Sequence, residues 1–545
     1  SPDSGLKEVK YAIWDDTKEN EPEDLNYTTL WPDNDNTDSG SPTYGKLTRE
    51  ITETIKVNTA EHNYDNVTVK VVAIDNAGNQ SNAAYHTLHI DIASPKIRVE
   101  FDNTEPVRVE DEHEYYDSVR TATVTITERP SGFNEERAKD SIIEGISAVN
   151  ISGNQVESAC TIEKVEEHID EENLDDSTYT FKVTFPGSAN YDFCPTYTDN
   201  AGNANELVQP TPWTFTVDTD VPEGKVYVDT NEWGTLIETL TFGIFSDDKF
   251  EISFYGNDKT SPIEMAYHIE KSSTSALTLK ELGKLEDKDW KEVENRFTIE
   301  GPQAFTVYLR VTDYAGHIHY VSSDGHILDN DDPTVSITAK TEPTSENGYY
   351  NQTIEKIELE VKAEDLIENW DSQKNGLAPS AGLKEVKYAI WNDTAENEPE
   401  DLNYTTLWPS DIDFTDSESY PTYEELPREI TETIEVDTAE HNYDNVTVKV
   451  LAVDNAGNYS EAAYYTLHID ITSPEIQVEF DDTKPVREED GRGYYDSART
   501  ATVTITERPS GFEAMKATGS IVDGISASNI SGHDDSGNLS EDTYN

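Results

Sequence analysis

Val67-Thr68-Val69-Lys70-Val71-Val72-Ala73-Ile74-Asp75-Asn76-Ala77-Gly78-Asn79 alternates apolar and polar residues and then breaks into a turn. A period of two marks a half-buried strand. Asp, Asn and Gly supply the turn, with Gly free to take positive φ. A second short strand follows, Ala84-Tyr85-His86-Thr87-Leu88-His89-Ile90. The stretch returns as Val446 through Asn458, and looser versions occur at Tyr197–Asn203 and Phe305–Gly316. This reads as the closing hairpin of a β-sandwich, made four times.

Longer repeats surround it. Gly5–Trp14 recurs as Gly382–Trp391, Asp24–Pro32 as Asp401–Pro409, and Arg120–Pro130 as Arg499–Pro509. The offset is 377 early and 379 later, so a two-residue insertion lies between. Each hairpin closes on an Asp-rich joint with proline: Asp91–Pro95, Asp218–Pro222, Asp329–Pro333 and Asp470–Pro474. Proline has no amide donor and ends strand pairing, which suits a boundary. The joints predict five domains: 1–94, 95–221, 222–332, 333–473 and 474–545. Domains 4 and 5 repeat 1 and 2, so the long unit is a cassette of three. The expected fold is all-β, tandem sandwiches set end to end as an elongated rod. The first domain is expected to be truncated at its start and the last at its end, each completed by neighbouring repeats or another chain. Helix is expected only at Asn134–Ile143 and, as helix or loop, at Leu279–Val293.

Composition agrees with small sandwiches. At 545 residues the chain exceeds one core, since cores stop growing near ~250–300 residues. Its 34% apolar content is below the globular norm of ~45–50%. The 111 acids against 40 Lys and Arg give a formal net charge of −71. That field repels nucleic acid and anionic membrane and attracts cations, calcium above all. No run approaches the ~18 apolar residues of a membrane span. Cys160 and Cys194 are the only cysteines. A cross-sandwich disulfide and two buried free thiols both fit them.

The Asp-x-Ala-Gly-Asn hairpin after an alternating strand resembles that of bacterial immunoglobulin-like domains in large surface proteins and adhesins. Asp75–Asn79, Asp199–Asn203 and Asp454–Asn458 carry the resemblance, and Asp313-Tyr314-Ala315-Gly316-His317 departs at its last position. The resemblance implies immunoglobulin-like sandwiches, a cell-surface or secreted location, a binding or stalk role, and no catalysis. Partners of that kind are a host surface protein, immunoglobulin or a glycan.

Four groups of residues carry the functional expectations. The hairpin acids Asp75, Asp199, Asp313 and Asp454 read as caps of backbone amides two residues on, with calcium ligation as the alternative. The joint acids Asp218, Asp220, Asp329, Asp331 and Asp332 are the calcium candidates, because Ca²⁺ takes six to eight oxygens, several of them carboxylates. Calcium there would stiffen the rod, and no other cofactor is required. Tyr64, Tyr191 and Tyr443, before the penultimate strand, are expected to pin their hydroxyls to backbone. Trp14, Tyr27 and Trp31, with their repeats Trp391, Tyr404 and Trp408, flank a loop from Asp15 to Gly45 that is longer than a sandwich needs. They are the candidate ligand-binding surface, against core packing for Trp14 and loop packing for Trp31. Sequence signatures of hydrolases, metalloproteases, phosphate loops and dinucleotide sites are missing. The two leading readings are thus an adhesin segment that binds a host ligand and a calcium-stiffened stalk. An accessory region of a secreted glycoside hydrolase is a third.

Overall fold

The computed structural model describes residues 4–32, 47–157, 159–205, 213–294, 296–409, 422–507 and 542–544. The chain forms two compact units. One comprises 1–224 with 255–266 and 310–319; the other comprises 225–254, 267–309 and 320–545. The fold is nearly all β and built of two-layer sandwiches, with a few short helices.

In the first unit, residues 96–217 make two sheets. One runs in the order Thr161–His168, Thr178–Phe185, Arg120–Thr127, Lys96–Phe101. The other runs Arg108–Glu110, His113–Tyr116, Trp213–Val217, Ala189–Phe193, Ile146–Val149. Burial along Arg120–Thr127 alternates strictly. Its inward residues Ala122, Val124 and Ile126 meet Phe181, Val183, Phe185, Tyr191, Phe193, Phe215 and Val217 in one core. The expected short helix is present at Glu135–Glu144, with the Asn134 side chain accepting from the Arg137 amide. Cys160 and Cys194 are each half-buried, and no disulfide joins them in this structure.

The same unit contains the sheet Thr28–Trp31, Leu6–Trp14, Val67–Asp75, Ala84–Leu88. The quoted strand is central: Trp14 pairs with Thr68 and Tyr11 with Val71. Among the described residues of 1–94 no second sheet faces this one.

In the second unit, residues 334–469 repeat the two-layer plan. Thr334–Ala339, Lys356–Glu364 and Glu429–Asp437 form one sheet. Tyr349–Tyr350, Ala463–Ile469, Val446–Asp454, Leu383–Trp391 and Thr405–Pro409 form the other. Ile357, Leu359, Val361, Leu383, Val446, Val448 and Val450 lie between them. Leu279–Val293 resolves into a four-residue helix at Leu279–Leu282, a 3₁₀ turn at Asp287–Asp289 and a short strand. At the end of the chain Glu475–Phe480, Ala501–Glu507 and Asp542–Tyr544 pair. There Ile476, Val478 and Phe480 are exposed, although their counterparts Ile97, Val99 and Phe101 pack in a core.

The tyrosine expectation holds at one position of three. The Tyr191 hydroxyl donates to the Gly187 carbonyl at 3.2 Å from an almost fully buried ring. Tyr64 and Tyr443 are half exposed. They contribute backbone instead, their carbonyls accepting from the amides of Ile90 and Ile469. Tyr191→Phe is therefore expected to cost about 1 kcal/mol, the net worth of one hydrogen bond. Tyr64→Phe should change the unfolding midpoint by nothing measurable, and urea titrations of the two variants check both.

Candidate metal centres

Each closing hairpin folds the same way. The Asp75 amide donates to the Asn79 carbonyl at 3.0 Å, and Asp199, Asp313 and Asp454 bond to Asn203, His317 and Asn458 at 3.0, 3.1 and 3.2 Å. The leading aspartate accepts from the amide four residues on at 2.8–2.9 Å in all four turns. Gly78, Gly202, Gly316 and Gly457 take φ between 84° and 102°, the left-handed region that disfavours a Cβ. In three turns the Asn side chain holds the second oxygen of the aspartate, at 2.7–2.9 Å. His317 Nδ1 does so in the remaining turn, at 3.1 Å. These aspartates do cap backbone, but at the amide four residues on and not two; Asp75 also accepts from the amide two residues on, that of Ala77, at 2.9 Å.

The joints also share a geometry. The backbone amides of Asp218, Asp329 and Asp470 donate to Tyr116, Ser246 and Tyr350, each at 2.9 Å. One carboxylate oxygen of each joint aspartate accepts from the amide two residues on, Ala93, Asp220, Asp331 or Thr472, at 3.0–3.2 Å. The side chain is thereby fixed at the end of its sandwich.

A third acid completes each set. Glu128, Asp258 and Asp365 follow directly on the strands Arg120–Thr127, Lys249–Asn257 and Lys356–Glu364. Joint, strand-end and hairpin acids converge three times: Asp91 with Glu128 and Asp199, Asp218 with Asp258 and Asp313, and Asp329 with Asp365 and Asp454. In each set one carboxylate oxygen per residue lies within 4.8 Å of the others. Oxygens bound to one calcium at 2.3–2.6 Å are at most about 5 Å apart, so each set fits a single ion. Eight of the nine side chains are buried, and Asp91 is half-buried.

Burial and mutual repulsion set the acidity of seven of them. Burial foremost, with Asp91 and Asp199 alongside, pushes Glu128 up to about 7. Burial and the Asp365 charge push Asp329 up to about 7. Burial raises Asp218 and Asp454 to about 6, with neighbouring aspartates adding to it. Asp91, Asp313 and Asp365 are raised as well, by burial first. Asp75 makes the comparison. It belongs to the same turn without a triplet, and its bonds to Asn79 hold it below the usual range. A set of acids that resists ionisation together is relieved by a proton or a cation.

Of the joint acids expected to bind calcium, Asp218 and Asp329 lie in triplets. Asp220, Asp331 and Asp332 lie outside them; they are exposed, and the first and second cap their joint aspartate through backbone alone. The sequence reading missed Glu128, Asp258 and Asp365. Their only signal is a place at the end of an alternating strand, which 111 acids obscure.

The aromatic surface divides. Trp14 and Trp391 are interior, their indole N–H groups donating to the Thr17 and Thr394 carbonyls at 3.0 and 3.1 Å. Neither indole presents a face to a ligand, which corrects the expectation for both. Trp31 and Trp408 are half-buried, and Trp408 packs against the core of its sandwich. Tyr27 and Tyr404 lie nearer the surface, under Lys10 and Lys387 at 4.7 and 5.5 Å. Residues 33–46 of the long loop lie outside the described residues.

No protein-family model and no curated protein sequence matches the chain. Among solved structures it is similar to a tetra-tandem repeat in the extending region of a large adhesion protein, at 13% identity and TM-score 0.27, covering 87% of this chain and 94% of that one. It is also similar to a 1.5-MDa bacterial ice-binding adhesin, at 11% identity and TM-score 0.21, covering 70% and 99%. A third is the sialic-acid-binding region of a Streptococcus sanguinis SK1 adhesin bound to 3'sLn, at 11% and 0.16, covering 73% and 82%. Among the described residues no helix is long and apolar enough to cross a membrane, which says nothing of β-barrels.

Proposed function

We propose that the chain is a non-catalytic spacer of an extracellular, adhesin-type surface protein. It consists of five immunoglobulin-like modules, 1–94, 95–221, 222–332, 333–473 and 474–545, and successive modules are locked by divalent cations, calcium first. One observation carries this reading. The same three positions of the fold converge as a carboxylate triplet at three successive joints. An all-carboxylate donor set selects a hard cation over zinc or copper. Each ion would tie the joint of one module to the strand end and hairpin of the next. The net charge of −71 keeps such a surface soluble and draws cations to it.

Melting the chain in millimolar calcium and in EDTA tests the proposal. Calcium at a hundredfold excess over its dissociation constant stabilises a site by about 2.7 kcal/mol, so the melt should rise by several degrees. Identical melts in the two buffers would sink the reading. The binding reading keeps support from Tyr27, on a polar cleft of about 380 Å³ lined by Glu21–Tyr27, and from its repeat Tyr404. A host protein or glycan held there should be lost in the Tyr27→Ala, Tyr404→Ala double variant.

A further inference from the structure

The three triplets are not alike in how their oxygens are occupied. In the middle set Asp258 accepts from the amides of Thr260 and Ser261 at 2.7 and 3.0 Å, and Asp218 accepts from the Ser261 hydroxyl. In the last set Asp329 accepts from the Ala381 amide at 2.7 Å. Asp365 there accepts from the Gly382 amide at 2.6 Å and the Ser380 hydroxyl at 3.0 Å. These donors offset part of the negative charge.

The first set differs. Glu128 is only 3% exposed, and its Oε2 has no hydrogen-bond partner. Asp91 Oδ2 is likewise buried and without a partner. Among the described residues these are the only triplet oxygens in that condition. The space around them is shaped by a missing side chain. A Cβ on Gly132 would fall 2.8 Å from Glu128 Oε1 and 3.0 Å from Asp91 Oδ2, and φ at Gly132 is not in the left-handed region. A larger residue at Gly132 would therefore displace those carboxylates, and its backbone conformation alone would permit one. A cleft of about 240 Å³, lined by Asp91, Gly132, Asn200 and their neighbours, opens beside them. It gives an ion a way in and leaves room for water ligands.

We propose that the Asp91–Glu128–Asp199 triplet is the primary cation site, and that the other two load only at higher concentration. This rests on the cation reading above. Two carboxylate oxygens with no donor keep all their lone pairs for an ion. Leaving them unmet is also costly in the ion-free state, and binding removes that cost. The first site should therefore bind about 10- to 100-fold tighter, the equivalent of one unmet buried acceptor.

Calorimetric titration of the full chain with calcium tests the ranking. The expected result is one tight site followed by weaker ones. Glu128→Gln should remove the tight phase and keep the weak ones, and Gly132→Ala, which crowds the cradle but removes no ligand, should do the same. Asp365→Asn should spare the tight phase. Melts in EDTA establish that the variants fold, and Glu128→Gln should be no less stable than the parent there. Three equal sites, or a tight phase that survives Glu128→Gln and is lost with Asp365→Asn, would overturn the ranking and leave the cation reading standing. No calcium heat from the folded parent would overturn both.

Discussion

Phe185→Ala is expected to destabilise the sandwich of residues 96–217 by about 3–5 kcal/mol, the range for removing a fully buried phenylalanine. Phe185 lies at the centre of that core with no exposed surface. Its ring meets Phe215 edge-on at 5.1 Å, Tyr191 at 5.2 Å and Phe193 at 5.3 Å, and stacks on Phe101 at 6.4 Å. Both sheets contribute to this cluster, so neither can close over the void alone. The loss should lower one melting transition by roughly 10–20 °C while the others stay in place. Calorimetry resolves this, and a shift below about 3 °C would show that the cluster does not hold the layers together. Phe480→Ala is the control, because that ring is 62% exposed and its loss should move nothing.

The second large effect concerns acid. His326 is fully buried among aromatic rings, stacked on Phe305 at 5.3 Å with Phe250 and Trp233 edge-on at 5.1 and 5.5 Å. Neither ring nitrogen has a hydrogen-bond partner. Burial pushes its pKa down to about 3, against about 6.5 in the unfolded chain. Between these values the unfolded state binds the extra proton, so stability falls as pH falls from 6.5 toward 3. Above 6.5 the group has no effect. At pH 4.5 the difference is about 2 to 3 kcal/mol. His326→Phe should therefore match the parent at pH 7.5 and be more stable than it at pH 4.5. Taking the difference at each pH cancels the other titrating groups. Parallel curves for parent and variant would mean that the imidazole is charged or solvated in the folded state.

Much of the fold is legible in the sequence because its signals are local. Alternation identified Val67–Asp75 and Val446–Asp454 as strands, and both are central. The Asp-x-Ala-Gly-Asn turn requires a glycine at positive φ, and each hairpin has one there. The candidate site was half legible. The joint and hairpin acids are marked by repeated motifs, but as separate groups with separate roles. Glu128, Asp258 and Asp365 lie 36 to 89 residues away from the joint and hairpin acids they meet. Nothing local marks them, since convergence depends on how one sandwich seats on the next.

The sequence by itself determined which stretches can be strands and where the turns fall. Tertiary structure decided which of those strands form and what each face meets. Glu429–Asp437 is a strand, paired along its length with Lys356–Glu364. Residues 50–58 carry nearly the same sequence and are irregular. The difference is the neighbour. A strand's amides and carbonyls need a partner on at least one side, and local propensity is too small to replace it. The same holds for Ile97 and Ile476, one in a core and the other on a surface, at equivalent places in one repeat.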